Sequence, residues 1–164
     1  MTIAALSPAA PRGRITPARI GAAALAGGAV DLVYATAMGA MAGRSFQQVW
    51  QGVAGGWIGR QASDLGWISA ALGLVTHFGI ATAMAASFAV AASRAPVLYR
   101  RPWTSGVLYG LVLYAVMYGL VLPLRWPQVF PRWDGVPSAA DVVAHIGVGL
   151  AIVFALHSRD ARAA

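Results

Sequence analysis

The sequence contains no lysine, glutamate, asparagine or cysteine, so all twelve of its basic residues are arginines. Without cysteine the chain can have no disulfide, no thiol chemistry and no Cys-based metal site. Only 10% of its 164 residues are charged and 59% are hydrophobic, whereas a soluble domain is about one-quarter charged. A chain of this length cannot bury so much apolar surface against itself, and we expect the lipid bilayer to cover the rest.

The net charge of +7 raises the question of nucleic-acid binding. The arginines lie between apolar segments rather than along one helix face. Membrane topology and anionic lipid headgroups explain this distribution better, and we expect no nucleic-acid partner.

Four apolar segments predict membrane-spanning helices at about 20–42, 66–93, 103–124 and 138–157. Each is close to the roughly 20 residues that a helix needs to cross the hydrocarbon core, and none shows barrel-like alternation. The sequence therefore predicts an all-α fold, a single domain of residues 1–164 built as a four-transmembrane-helix bundle. Residues 1–18, rich in proline and arginine, predict a flexible basic tail. Ala40-Met41-Ala42 resembles a signal-peptidase site, but the preceding apolar run is too long for a signal peptide, so we favour a retained helix over cleavage.

Arginine counts predict the orientation. Eight arginines fall in the N-terminal tail, the second connection and the C-terminus, and four fall in the first and third connections. The positive-inside rule then places both termini in the cytoplasm, as in a multi-pass protein of a bacterial inner membrane. Five of the six tryptophans fall on the outer side, where we expect them to lie among the lipid headgroups; they are Trp50, Trp57, Trp67, Trp126 and Trp133.

The first outer connection has the pattern of a short helix. Ser45 and Gln48 form a capping-box pattern, and apolar residues follow at helical spacing up to Trp57. We predict an interfacial helix over 45–57, flat or partly re-entrant, ending at Gly55-Gly56. It would either cap the bundle or act as a gate. Ser138 and Asp141 form a second capping-box pattern, which predicts the start of the last helix.

Ionisable residues inside the spans are the best candidates for a site, because charge at membrane depth is costly. These are Asp31, His77 and His145; Asp141, Tyr114 and Tyr118 fall at similar depths when 1.5 Å is counted per residue. Asp141 precedes His145 by four residues and so shares its helix face, from which it would orient the imidazole. The set predicts either a proton-responsive cluster or polar pocket, or a structural network that holds the helices together.

Other chemistries have weaker support in the sequence. Two histidines on different helices are compatible with bis-His haem ligation in an electron carrier. A metal ion could also be bound by four side chains together: Asp31, His77, Asp141 and His145. No second histidine lies three or four residues from either one, and we expect neither cofactor nor metal. Because no nucleophile elbow, P-loop, dinucleotide fingerprint or zincin motif is present, we expect no enzymatic activity.

Two further patterns concern helix packing. Residues 74–81 and 142–149 share a His, a large apolar residue, Gly and a branched aliphatic residue, which would fit two tandem hairpins. Gly39 with Gly43, and Gly106 with Gly110, have GxxxG spacing, which favours close helix packing or a homodimer.

The Gly-rich first span, Gly27-Gly28-Ala29-Val30-Asp31, combines with an ordered outer connection and a later span bearing Gly and His. This arrangement resembles the YagU-like family of small bacterial inner-membrane proteins. The resemblance implies four spans with both termini inside and a link to acid resistance. The leading prediction is a non-enzymatic protein that supports envelope or acid-stress physiology. The alternative is a small transporter or channel component, although the cytoplasmic half offers few polar residues beyond Thr82, Ser87 and Tyr109.

Overall fold

The computed structural model describes residues 15–157, and most of the predicted basic tail lies outside these residues. The described chain is helical throughout its regular elements: α1 Pro17–Met41, α2 Phe46–Ile58, α3 Gly66–Arg94, α4 Val97–Arg100, α5 Pro102–Val116, α6 Leu122–Arg125 and α7 Val136–His157. A 3₁₀ turn, Gly59–Ser63, follows α2, and a π-helical turn, Met117–Val121, joins α5 to α6. Four helices are long and apolar enough to cross a membrane: α1, α3, the continuous stretch Pro102–Arg125, and α7. The predicted all-α four-helix fold is confirmed.

The first helix begins earlier than the hydropathy pattern suggests. Pro17, which fits the first turn of a helix because its missing N–H has no partner there, starts α1 within the predicted tail. The Thr16 hydroxyl accepts a hydrogen bond of 3.3 Å from the Arg19 backbone N–H and caps this end.

The capping box predicted for α2 is present. Ser45 Oγ accepts from the Gln48 N–H (3.3 Å), and Gln48 Oε1 accepts from the Ser45 N–H (2.8 Å). Gly55-Gly56 do not end the helix, which continues to Ile58, one residue beyond the predicted range 45–57. It ends where Gly59 takes a positive φ of 65°, which favours glycine.

The capping box predicted for α7 is also wrong. The helix begins at Val136, so Ser138 lies inside its first turn rather than before it. The Ser138 hydroxyl instead accepts from the Asp134 N–H at 2.9 Å, and the Asp141 carboxylate binds Tyr34.

The third span contains an irregularity that the hydropathy pattern does not show. At Met117–Val121 the helix widens, and the Leu122 N–H reaches back to the Met117 carbonyl. Pro123 directly follows Leu122 and has no N–H to donate to the Gly119 carbonyl. The regular series of α-helical hydrogen bonds is therefore interrupted at this point.

Helix α7 packs between α1 and α5, α1 packs between α7 and α3, and α2 packs on α3, whereas α3 and α5 make few contacts with each other. The α5–α7 contact is close because Gly110 faces the backbone of α7: a Cβ there would lie 2.5 Å from the His145 carbonyl oxygen. Gly106 also faces α7, against Leu150, and Gly39 faces Val49. These predicted contact glycines are thus covered within the chain, and a homodimer through them stays a prediction.

The two ends of the bundle differ. We call the end with the start of α1 and the end of α7 the terminal end, and the opposite end, which carries α2, the α2 end. The terminal half holds the packed core, whose buried members include Ala24, Ala85, Phe88, Leu113, Ile152 and Leu156. Arg19 is buried there and donates to the Leu156 carbonyl at 2.6 Å, a favourable place for a cation because it is a helix C-terminus.

The polar residues expected in this half are also engaged. The Tyr109 hydroxyl on α5 lies 2.6 Å from the Met84 carbonyl and 2.7 Å from Ser87 Oγ, both on α3. The Thr82 hydroxyl donates to the Phe78 carbonyl of its own helix at 2.7 Å. The Tyr109 hydroxyl thus joins α5 to α3, and the Thr82 hydroxyl bonds within α3. Neither group lines an open path.

Candidate functional site

The α2 half of the bundle encloses a cavity of about 600 Å³. Its wall is formed by α1, α2, α3, α6 and α7 and by the π-helical turn between α5 and α6. All six predicted site residues line it or contact its lining: Asp31, His77, Asp141, His145 and Tyr118 line the cavity, and Tyr114 stacks on Tyr118 with ring centroids 4.5 Å apart. The volume lies within the range of small-molecule sites.

His77 and Asp31 face each other across α1 and α3. The His77 Nε2 atom lies 2.9 Å from the Gly28 carbonyl oxygen, and His77 Nδ1 lies 3.6 Å from Asp31 Oδ2. The second distance is too long for a hydrogen bond but close enough for a strong electrostatic interaction away from bulk water. The side chain of Asp31 is 31% exposed, whereas that of His77 is 11% exposed, so the carboxylate is the more exposed of these two cavity-lining groups.

Aromatic rings hold the His77 imidazole in place. Trp50 of α2 and Phe78 meet its edge at centroid distances of 4.9 and 5.0 Å. Trp50 reaches this depth because Gly73 has no side chain, and a Cβ there would overlap the Trp50 carbonyl oxygen. The expectation that Trp50 lies among the headgroups is therefore wrong: it is 1% exposed and packs inside the bundle.

A second polar group joins α1 to α7. The Tyr34 hydroxyl donates to Asp141 Oδ1 at 2.7 Å, and Tyr118 from the π-helical turn interacts with the same carboxylate. Sequence reasoning missed Tyr34. Its signal was available, because Tyr34 follows Asp31 by three residues and so lies on the same helix face.

His145 is oriented by Asp141, but not in the expected way. Its Nδ1 atom lies 2.9 Å from the Asp141 backbone carbonyl oxygen, while the Asp141 carboxylate faces Tyr34. The rings of Tyr114 and Tyr118 meet the imidazole edge at 5.7 and 5.6 Å. The cluster thus has two parts, Asp31–His77 and Tyr34–Asp141–His145, which line one cavity.

The hydrogen bonds determine where protons can reside. A carbonyl oxygen only accepts, so His77 Nε2 must carry a hydrogen to bond Gly28. His77 Nδ1 then faces Asp31 favourably in two cases: either Nδ1 is protonated beside a carboxylate, or its lone pair faces a protonated Asp31. Both arrangements hold one exchangeable proton. Its loss would leave the Nδ1 lone pair facing a carboxylate, which is repulsive.

The same reasoning applies to His145. Its Nδ1 must donate to the Asp141 carbonyl, which leaves Nε2 as an acceptor in the neutral ring. The Asp141 carboxylate accepts a hydrogen bond from the Tyr34 hydroxyl.

Aromatic and basic side chains form the rim of the cavity at the α2 end. Trp57 Nε1 donates to the Thr76 hydroxyl at 2.9 Å, and the Arg125 guanidinium lies 5.7 Å from the centre of the Trp57 ring. Trp126 packs against Gly56, where a Cβ would lie 3.0 Å from the indole. These contacts join α2 to the end of the third span.

Comparison with known proteins adds no further assignment. No family model, curated protein or solved structure matches the chain. Within residues 15–157, no three His, Asp, Glu or Cys side chains come close enough together to hold a metal ion. The function must therefore be argued from the cavity and its cluster.

Proposed function

We propose that this chain is a small, non-enzymatic, multi-pass protein of a bacterial inner membrane that binds protons through the Asp31–His77 pair and supports envelope or acid-stress physiology. The observation that carries the proposal is the geometry of the pair. The Gly28 carbonyl fixes one proton on His77 Nε2, so the 3.6 Å contact is favourable when a second proton lies either on Nδ1 or on Asp31.

The surroundings of the pair support this role. Asp31 and Tyr34 face the cavity from α1, His77 from α3, Tyr118 from the π-helical turn, and Asp141 and His145 from α7, with Arg44 and Arg125 at the rim. Helix α2 contributes the Trp50 ring against His77 and no titratable group to the cluster. Asp31 meets an open cavity rather than a packed core, so protons can reach it through water.

The positive-inside rule supports an orientation with the α2 end outward, in which the cluster would respond to the outside solution. The pattern resemblance to the YagU-like family supports acid resistance as the physiological setting. Both statements are parts of the proposal.

A direct test follows the imidazoles by ¹⁵N nuclear magnetic resonance across a pH titration in detergent micelles. The chain has three histidines, and assignment requires one His→Gln variant for each. We expect Asp31→Asn to change the titration midpoint of His77 and to leave that of His157, at the terminal end, unchanged. A His77 titration that is the same with and without the Asp31 carboxylate would contradict the proposal.

The physiological part is tested by survival after acid challenge in a deletion strain. We expect the natural chain to restore survival, and Asp31→Asn and His77→Ala to restore it poorly although they reach the membrane. His157→Ala serves as the matched control. Full rescue by the cluster variants would show that the cluster serves only to hold the helices together.

The cavity favours a transporter or channel component as the second candidate function. The polar cluster would then bind the transported molecule, but the packed residues Phe88, Leu113 and Ile152 close the terminal half. A transporter or a channel would each have to open a path through this core. Ion conductance in planar bilayers containing the purified protein would favour this candidate over the first.

The haem-binding alternative has less geometric support. His145 leaves its Nε2 atom available, but the remaining nitrogen of His77 is Nδ1, which faces Asp31 at 3.6 Å. A red preparation from haem-replete cells with the absorption bands of a bis-His haem would revive this alternative.

A further inference from the structure

We propose that the α2 end binds one anionic amphiphile, with its oxyanion head held by Arg44 and Arg125 and a single apolar chain in the cavity. Two hollows meet at this end. Beside the cavity described above lies a second hollow of about 580 Å³. Arg44, Arg125 and Trp126 line both of them, so a molecule at these residues can occupy both spaces.

The second hollow is positively charged. Arg60 lines it together with Arg44 and Arg125, its other lining residues are uncharged, and they include Gln48, Gln51 and Ser63. Within residues 15–157, none of these three arginines has a carboxylate at ion-pair distance. Three guanidinium groups without a neutralising carboxylate favour an anion supplied from outside the chain.

One of the arginines is already held in position. The Arg125 guanidinium lies within cation–π range of the Trp57 ring, at 5.7 Å from its centre, and Trp57 is fixed in turn by its hydrogen bond to Thr76. This contact needs none of the guanidinium N–H groups, which are available for a phosphate or carboxylate.

The walls of the larger cavity select the rest of the ligand. Near the rim they are mainly aliphatic, with Met38, Val53 and Val121 among them, and Ile80 and Met84 lie deeper. A free inorganic anion would leave these walls unused, and an uncharged lipid would leave the arginines unused. An oxyanion attached to an apolar chain uses both, and either a bilayer lipid or a free fatty acid can supply this chemistry.

The binding test uses the full purified chain in a neutral detergent. Thermal unfolding midpoints and native mass spectrometry would be recorded with phosphatidylglycerol, phosphatidylcholine of the same chains, oleate, or inorganic phosphate alone. We expect phosphatidylglycerol, oleate or both to be retained and to raise the midpoint, while phosphatidylcholine and inorganic phosphate have little effect. Retention of one and not the other identifies the source as a bilayer lipid or a free fatty acid.

Two variants test the two parts of the ligand. Arg44→Gln with Arg125→Gln should weaken binding by about tenfold or more, because charge-assisted hydrogen bonds are lost. Arg132→Gln is the matched control, since Arg132 is already paired with Asp134 at 2.8 Å. Val53→Phe should reduce binding by filling the cavity, and its midpoint without ligand shows whether it folds.

Several outcomes would overturn the proposal. Equal retention of phosphatidylcholine would mean a general lipid contact, and equal stabilisation by inorganic phosphate would mean a simple anion site. An equal loss in Arg132→Gln would mean a general charge effect. Amphiphile binding does not depend on the proton response of the Asp31–His77 pair. A histidine titration on the same preparation tells failure of one proposal from failure of the other. Loss of head-group selectivity with an intact His77–Asp31 coupling would reject amphiphile binding and leave the proton response standing.

Discussion

At the scale of single residues, the Tyr34 hydroxyl determines how the cluster is divided. It binds the Asp141 carboxylate across the α1–α7 contact, which leaves His145 to the Asp141 backbone carbonyl. The carboxylate nearest to His145 in sequence is therefore not the one that pairs with a histidine. Asp31 has that role, on His77 of another helix.

We expect Tyr34→Phe to lower the free energy of unfolding by about 1.5–3 kcal/mol, the usual contribution of a hydrogen bond to a charged group. Tyr114→Phe is the matched control, because the Tyr114 hydroxyl makes no hydrogen bond within residues 15–157. Equilibrium unfolding in mixed micelles measures both. Equal losses in the two variants would mean that ring packing, rather than the hydrogen bond, explains the effect.

The Gly110 contact gives a second prediction at this scale. A methyl group at Gly110 would lie 2.5 Å from the His145 carbonyl oxygen and from the Ile146 Cα, so α5 and α7 would have to separate. We expect Gly110→Ala to cost about 1–3 kcal/mol, as other overpacked contacts do. Gly79→Ala, where nothing lies within 4 Å, should cost nothing in the same unfolding measurement; a loss there as large as at Gly110 would contradict the packing argument.

At the scale of elements, α2 is the part of the structure that completes the site. Its Trp50 ring packs on His77, and Gln51 donates to the carbonyls of Ser63 and Gly66, which ties α2 to the start of α3 at 3.3 and 3.1 Å. A helix that merely covered the bundle would not place a fully buried indole against a candidate site residue.

We expect Ser45→Ala to destabilise α2 by about 1 kcal/mol, because one of its first N–H groups loses a cap. Hydrogen exchange followed by mass spectrometry should then speed up in the first turn of α2 while α7 stays unchanged. Ser93→Ala is a suitable control, since the Ser93 hydroxyl bonds only the Val90 carbonyl of its own helix. Unchanged exchange in α2 would show that packing on α3, and not the cap, holds the helix.

The sequence predicts those elements whose signal is local. Span lengths follow from apolar runs, and the start of α2 follows from the Ser45–Gln48 box. The same pattern at Ser138 gives a wrong prediction, because the Ser138 hydroxyl accepts a hydrogen bond from the Asp134 N–H in the loop and not from an N–H of the helix. The π-helical turn escapes prediction because hydropathy does not report hydrogen-bond register.

The candidate site divides in the same way. The free-energy cost of an ionisable side chain inside an apolar span identifies Asp31, His77 and His145, since this cost is a property of each residue alone. Partner choice depends on helix rotation and on backbone carbonyls such as that of Gly28, which no side-chain pattern encodes. The burial of Trp50 likewise depends on Gly73, a residue of another helix.

At the scale of the whole molecule, the orientation is open to a direct test because the natural chain has no cysteine. Single cysteines at Gln61, beside α2, and at Ser93, near the end of α3, lie at opposite ends of the bundle. We expect a membrane-impermeant maleimide to label Gln61→Cys in intact spheroplasts and Ser93→Cys only after the membrane is permeabilised. The reverse labelling pattern would place the cavity on the cytoplasmic side.

The division of the bundle into a hollow half and a packed half has an electrical consequence. When no amphiphile occupies the cavity, water in it would extend the outside solution inward, so the transmembrane potential would fall mainly across the packed terminal half. A charge that crosses the full potential gains about 2.3 kcal/mol per 100 mV, but a proton that reaches Asp31 and His77 through the cavity crosses only a small part of it. With the α2 end outward, occupancy of the pair would follow external acidity and would be nearly independent of the energised state of the membrane.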